Sequence, residues 1–205
     1  MNMSRRNIML KKLLLSVLLL AFIHAASAQA PTSSQLFDFN KSRNKKTSKG
    51  LKVLGVWAIA NMGTSAYLYT QSKGVDKSFH EMNVLFNGVN TLICAASLLP
   101  KEKNDLDLSK TLSWQSNTEA TYIANAALDL LYSTAGLYLA ERGRREQHDR
   151  FTGYGNSLVY NGSFLFLFDT SMYIMHKRNG KKLYRMMDKV NVSAGLGGIS
   201  MRMRF

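Results

Sequence analysis

The chain has 205 residues, 46% of them hydrophobic, which is enough for one domain with a buried core. Its formal net charge of +14 and pI of about 10.0 favour a negatively charged partner, either nucleic acid or an anionic membrane surface. The single cysteine, Cys94, excludes an intrachain disulfide and a cysteine-based metal site, and its apolar neighbours indicate a small buried side chain.

Residues 1–28 have the pattern of a cleaved secretory signal peptide. A basic start precedes the apolar run 13–23, and the small residues 26–28 come directly before Gln29. An uncleaved anchor helix is the alternative, although the run is short for a span. We therefore predict export to the bacterial cell (inner) membrane. An exported basic protein meets phospholipid before it meets DNA, so we expect no nucleic-acid partner.

Residues 29–50 are predicted to form a basic polar linker. The basic residues lie just before an apolar stretch, and they are Lys41, Arg43, Lys45, Lys46 and Lys49. Such clusters are typical of solvated linkers that touch anionic lipid headgroups. The predicted partner is therefore a lipid bilayer with anionic headgroups. A protein partner and the oligomeric state are not identifiable from the sequence.

Four apolar segments follow, each long enough to cross a bilayer of about 30 Å. They are predicted as helices over about 51–69, 78–99, 118–140 and 158–175. The second and third are predicted to begin at capping boxes that start with Ser78 and Ser116. Their internal polar residues are mostly Asn, Ser, Thr and Gly, which membrane helices use for close packing and hydrogen bonds. We therefore predict an all-α membrane protein with a four-helix transmembrane bundle over residues 51–176.

Residues 177–205 are predicted to form a basic tail. Apolar and polar residues alternate on both sides of the glycine-rich stretch 195–198, which indicates a short β-hairpin. The architectural alternative to the membrane bundle is a soluble periplasmic helical bundle. It is favoured by a mean hydropathy of only −0.14 and by asparagines within the apolar runs.

The second and fourth apolar segments share a short motif. Residues 85–88 read LFNG and residues 159–162 read VYNG, which is the pattern of a duplicated helical hairpin. Such a duplication predicts a pseudo-twofold bundle with the second and fourth helices at its centre.

Two acids lie inside apolar segments, where a carboxylate must be paired, protonated or next to water. Asp129 lies 11 residues before Ala140, where its segment ends. Asp169 lies 11 residues after Leu158, where the next segment begins. At about 1.5 Å per residue, both acids therefore lie at the same depth. The candidate intramembrane polar site adds asparagines at similar depths, and it consists of Asn61, Asn87, Asn90, Asp129, Asn161 and Asp169.

Such a cluster can bind a cation, relay a proton or hold a polar headgroup, and it can equally serve as interhelical hydrogen bonds that fix the bundle. Nucleophile, nucleotide-binding and zinc-protease signatures are absent from the sequence. We therefore expect no enzyme, no cofactor and no metal. The favoured function is a binding or scaffolding component of a bacterial envelope. The alternatives are a transporter subunit or an ion or proton pathway that uses Asp129 and Asp169, and an intramembrane enzyme with the same two acids.

The stretches FHEMNVLFNGVN (79–90) and GYGNSLVYNGSFLFLFD (153–169) resemble a family of small bacterial multispanning proteins known only as a domain of unknown function. The resemblance implies a helical membrane domain and carries no established activity. The positions that match the family's motifs are Asn83, Asn87, Asn90, Asn161 and Asp169.

Overall fold

The computed structural model describes residues 31–98 and 106–188, with side chains up to residue 185. These ranges form four α-helices, which are α1 (Ser33–Gln71), α2 (Gly74–Leu98), α3 (Leu108–Arg145) and α4 (Asp149–Asp188). No strand occurs within them. The predicted leader and the predicted carboxyl-terminal hairpin both lie outside the described residues.

Two of the helices begin at side chains that accept hydrogen bonds from the first turn. At α1, Thr32 Oγ1 accepts from the Gln35 backbone N–H at 3.3 Å, and Gln35 Oε1 accepts from the Thr32 N–H at 2.9 Å. At α3, Asp107 Oδ1 accepts from the Lys110 N–H at 2.8 Å. These caps set the start of α1 and of α3 well before the apolar segments predicted from residues 51 and 118.

The two predicted capping boxes do not start helices, and those predictions were wrong. Ser78 lies inside α2, where its hydroxyl donates to the Gly74 carbonyl at 3.2 Å. Ser116 lies inside α3. A serine followed by a glutamate three residues later is also an ordinary helical spacing. The motif marks a start only where the chain before it leaves the helical conformation.

α1 and α4 both extend far beyond the apolar segments. Residues 33–50, predicted as a linker, form the first half of α1, and α4 continues through the first part of the predicted tail to Asp188. The reason is a small apolar cluster at this end of the bundle, where Leu36 and Phe39 of α1 pack with Leu183 of α4. Packing on another helix stabilises a polar segment that periodicity alone assigns to a linker.

α4 packs against all three other helices, most extensively against α3. The α3–α4 contact is close because small residues face each other. A Cβ atom on Gly155 would collide with the Ala140 backbone, and one on Gly136 would lie 2.7 Å from the Gly155 carbonyl oxygen. α2 packs against α1 and α4 but makes no close backbone contact with α3. A groove therefore opens between α2 and α3.

None of the four described helices has the combination of length and apolar character that a membrane crossing requires. The prediction of a transmembrane bundle over residues 51–176 was therefore wrong. The physical reason is that polar residues recur at helical spacing on the buried faces. Along α4 these include Ser157, Asn161, Asp169 and His176, each at most 5% exposed. These polar residues interrupt the apolar runs and leave no described stretch apolar enough for a span.

Candidate functional site

Three asparagine side chains from α2 and α4 form a buried amide cluster. Asn87 Nδ2 donates to the side-chain oxygens of Asn161 and Asn83, each at 2.9 Å. Asn161 Nδ2 in turn donates to Asn83 Oδ1 at 2.7 Å, and Asn83 Nδ2 donates to Ser65 Oγ of α1 at 2.6 Å. All four residues are at most 3% exposed. Hydrogen bonds between side chains thus connect α1, α2 and α4 in the interior.

The Asp129 carboxyl of α3 and the Asp169 carboxyl of α4 lie in hydrogen-bonding contact. They are 3% and 5% exposed, respectively. Two ionised carboxylates cannot hydrogen-bond, so one of the pair carries a proton. Among the described residues, no amide, hydroxyl or ammonium group donates to Asp129 Oδ2. The Asn125 side chain hydrogen-bonds Asp169 instead. The shared proton therefore satisfies the buried acid pair.

Burial raises the pKa of Asp129 to about 8, and both the charge of Asp169 and the hydrogen bond to it act in the same direction. Burial also raises the pKa of Asp169, to about 6, although its hydrogen bonds with Asp129 and Asn125 act in the opposite direction. Two acids this close titrate as a pair. At neutral pH the acid pair therefore holds one proton, on the Asp129 side, and one negative charge, on the Asp169 side.

A second polar layer surrounds His176, which is completely buried. Its Nε2 lies 3.3 Å from Thr47 Oγ1 of α1, and its backbone carbonyl accepts from Gln115 Nε2 of α3 at 2.8 Å. The Tyr122 ring stacks on the imidazole with centroids 5.3 Å apart. Burial lowers the pKa of His176 to about 4, and the nearby charges of Lys46 and Arg43 lower it further. His176 is therefore neutral at pH 7.

Arg43 of α1 is a buried cation, only 3% exposed. Its guanidinium donates to the Thr111 carbonyl at 3.5 Å and to Asn44 Oδ1 at 3.4 Å, both long contacts. It lies over the Trp114 ring, 5.3 Å from the centroid. The sequence placed Arg43 in a solvated basic cluster. In the structure only Lys41, Lys45 and Lys49 of that cluster are exposed.

The groove between α2 and α3 has a volume of about 1040 Å³. The Phe86 and Tyr132 rings meet edge to face across it, with centroids 5.8 Å apart. Its walls are mostly apolar, and they include the acid pair with Asn125 and, about four turns earlier along α3, Trp114 beside Arg43. The apolar side chains that line it include Leu51, Leu54, Leu85, Val89, Ile93, Leu165 and Phe168.

The six predicted site residues do not form one site. Asp129 and Asp169 meet at the groove, as their equal offsets predict, and Asn90 lines the same groove with a buried Nδ2 that no described residue satisfies. Asn87 and Asn161 belong to the amide cluster. Asn61 lies apart, where its Nδ2 donates to the Trp57 carbonyl at 2.9 Å and its Oδ1 accepts from Tyr160 Oη at 3.0 Å.

The sequence analysis missed Tyr122, Asn125, Gln115 and Arg43 as members of this interior. Helical spacing could have indicated Tyr122 and Asn125. They precede Asp129 by seven and four residues, so all three share a face of α3. Arg43 gave no such signal. No group of three or more His, Cys, Asp or Glu side chains suited to a metal ion occurs in the described ranges.

The two copies of the Asn-Gly motif have different surroundings. Their asparagines, Asn87 and Asn161, contact each other, which agrees with a pairing of α2 with α4. Their glycines differ, since a Cβ atom on Gly162 would collide with Ser133 Oγ, whereas one on Gly88 would have Met62 Sδ at 3.9 Å as its nearest neighbour. A duplicated hairpin stays a prediction, and α4 is more central than α2.

Comparison with known proteins adds a family and no activity. No curated protein and no solved structure matches the chain significantly. A family model described as "Family of unknown function (DUF6992)" matches residues 53–170, more than half of the chain, from within α1 to the middle of α4. The matched range contains both asparagine motifs and the acid pair. The chain therefore belongs to DUF6992, a family of unknown function.

Proposed function

We propose that this chain is a non-enzymatic binding protein whose groove holds an amphiphilic ligand, with a cationic group of the ligand at the Asp129–Asp169 pair. The observation that carries the proposal is a pair of buried carboxyls in the lining of a mostly apolar groove of about 1040 Å³. Ligand sites are typically concave and mostly apolar, with a few polar groups that orient the ligand.

The charge of the acid pair defines the ligand group that it favours. With one shared proton, the pair keeps a single negative charge on side chains that are at most 5% exposed. A buried charge gains most from an opposite charge that arrives with its own hydrogen-bond donors, as an ammonium group does. Asn90 adds an unsatisfied amide N–H that can donate to an oxygen of the ligand.

We favour a binding role over catalysis because the acid pair lies in a mostly apolar groove and the sequence has none of the common nucleophile signatures. The polar side chains that line the groove with the acids include Asn90, Asn125, Thr121 and Tyr122. The groove also favours ligand binding over a purely scaffolding role, because a scaffold needs no internal volume. Export into a bacterial envelope remains part of the proposal and is tested by detection of Gln29 as the mature amino terminus.

The test is isothermal titration with three ligands that share one tail and differ in the head group, which are decylamine, decanol and decanoate. At pH 7 and below micelle-forming concentrations, the folded protein should bind decylamine at least about tenfold more tightly than decanol, a difference of about 1.4 kcal/mol. Non-specific attraction cannot cause this preference, because a chain of net charge +14 repels an ammonium group.

The matched variants are Asp169→Asn and Asp38→Asn. Asp169→Asn removes the ionised member of the pair and should abolish the preference for the amine. Asp38→Asn removes an exposed carboxylate of α1 and should leave it unchanged. Equal affinity for decylamine and decanol in the wild-type protein would contradict the proposal. A preference that survives Asp169→Asn would contradict it too.

A further inference from the structure

The lining of the groove contains a charged side chain besides the acid pair, which is Arg43. Arg43 lines the groove, is 3% exposed, and has no carboxylate within ion-pair distance among the described residues. A guanidinium has five N–H donors, and here two of them make contacts, both near 3.5 Å. A buried charge with weak partners is unfavourable unless an opposite charge joins it.

The surroundings of Arg43 are also positive. Lys46, one turn further along α1, is half-buried and donates to Asn179 Oδ1 of α4 at 3.0 Å, and burial together with the charges of Lys182 and Lys45 lowers its pKa. The charges of Lys46 and Arg43 also reach His176 and lower its pKa. An anion bound at Arg43 would therefore relieve repulsion among several groups.

We propose that Arg43 is the anion-binding end of the groove and that it holds the carboxylate head group of the bound amphiphile. A guanidinium binds a carboxylate through two parallel N–H···O bonds, which a lysine cannot do. The Trp114 ring lies beside this guanidinium, with Arg43 Cζ 5.3 Å from the ring centroid, so a ligand bound at Arg43 would also lie near Trp114. This inference depends on the proposed function for the groove itself.

The charges at the two ends of the groove together indicate the chemistry of one ligand. Asp129 lies about four helical turns beyond Trp114 along α3, so the positive and negative ends of the groove are well separated. Apolar side chains of α1, α2 and α4 line the space between them, among them Leu54, Val89 and Leu165. The matching ligand is a zwitterionic amphiphile, with its carboxylate at Arg43 and its ammonium group at the acid pair.

The test uses Trp114 as a reporter at the site. The chain has two tryptophans, so Trp57→Phe leaves Trp114 as the only one. In this background, decanoate should change the Trp114 fluorescence and bind at least about tenfold more tightly than decanol. Arg43→Gln should abolish that preference. Lys45→Gln removes the same charge from an exposed position of α1 and should leave the preference intact.

Arg43→Lys serves as the second variant if Arg43→Gln does not fold, because it keeps the charge and loses the two-point contact. It should weaken decanoate binding several-fold without changing decanol binding. Equal affinity for decanoate and decanol in the folded parent protein would overturn the Arg43 site, and so would full decanoate binding by Arg43→Lys or tighter binding of decyl phosphate than of decanoate.

The two proposals fail separately. A decylamine preference that depends on Asp169, together with no decanoate preference, would leave the groove function standing and remove the Arg43 site. The reverse result would remove the role of the acid pair and leave the anion site. Binding of none of the three amphiphiles would remove both.

Discussion

Asn87 Nδ2 of α2 donates to Asn161 Oδ1 of α4 at 2.9 Å, so the asparagines of the two similar motifs meet in the interior. Asn83 accepts from both amides and thereby closes the cluster. Hydrogen bonds between buried amides strengthen one another in a low-dielectric interior, whereas a single unsatisfied member is costly. The stability of the bundle therefore depends on the cluster as a unit.

Replacement of Asn161 by alanine should lower the free energy of unfolding by about 1–3 kcal/mol, because it removes one buried hydrogen-bond partner from Asn87 and one from Asn83. Asn87→Ala should do the same. In the double variant the losses should not add, with a coupling of about 0.5–3 kcal/mol. Urea unfolding measures the free energy of unfolding of the two single variants and of the double variant. Asn117→Ala, at an exposed position of α3, is the control. Losses that add within about 0.5 kcal/mol would show that the two amides act independently.

The acid pair should make stability fall as the pH rises from 6.5 to 8. In this range Asp129 is ionised in the unfolded chain, where its pKa is near 3.8, but still protonated in the folded protein, where its pKa is about 8. The folded state thus binds more protons, and each extra bound proton lowers stability by up to about 1.4 kcal/mol per pH unit. His176 opposes this slope only near pH 6.5, where it is still partly protonated in the unfolded chain, and has almost no effect by about pH 7.5.

The measurement is the free energy of unfolding in urea at several pH values within that range. Asp129→Asn imitates the protonated acid and should flatten the slope. Asp38→Asn should keep the wild-type slope. A wild-type stability that is constant or rises between pH 6.5 and 8 would show that the pair does not hold a proton in the folded protein.

His176 should produce a loss of stability on the acid side. Its pKa is about 4 in the folded protein and 6.5 in the unfolded chain, so between these values the unfolded chain binds more protons. Stability from this group is complete above about pH 6.5 and falls as the pH falls toward 4. The acid pair makes stability rise as the pH falls over the same range. The test is therefore the difference in melting temperature between the wild type and His176→Gln, because both proteins keep the acid pair. That difference should shrink as the pH falls.

Asn117→Ala, at an exposed position of α3, provides the control because neither side chain titrates. Its difference in melting temperature from the wild type should not change between pH 6.5 and 4. A constant difference for His176→Gln as well would mean that the buried imidazole does not stay neutral.

Gly155 should not tolerate a methyl group. A Cβ atom there collides with the backbone of Ala140 and Gly136, which a rigid helix pair cannot move away cheaply. Gly155→Ala should therefore lower the free energy of unfolding by about 1–3 kcal/mol. Gly63→Ala in α1 has no atom within 4 Å of the new Cβ, and it should raise stability by about 0.5–1 kcal/mol through helix propensity alone. Chemical denaturation compares the two, and a stabilising Gly155→Ala would contradict the close α3–α4 contact.

The sequence located the most informative residues of the interior but misassigned their surroundings. The equal offsets of Asp129 and Asp169 from the ends of their segments place both acids at one depth, and the repeated Asn-Gly motif links Asn87 with Asn161. Both relationships follow from helical rise and antiparallel order. Arg43 and His176 were not identified, because each lies at the edge of a basic stretch that the composition alone assigns to solvent.

The transmembrane assignment failed because polar residues recur along the four segments, so that no described helix is apolar enough to cross a membrane. Asn83, Gln115 and Asp169 are buried because another helix supplies a hydrogen-bond partner, and no within-helix pattern reveals such a partner.

By itself, the sequence determined four long helical segments, their antiparallel order and the depth at which the two acids meet, since these depend on local periodicity and on residue count. Only the tertiary structure decided how far α1 and α4 extend, which polar side chains are inside, and where the groove opens. Each of these outcomes depends on contacts between residues far apart in the chain, such as Leu36 with Leu183 and Thr47 with His176. The free energy that stabilises such contacts comes from the partner helix, which a single segment does not encode.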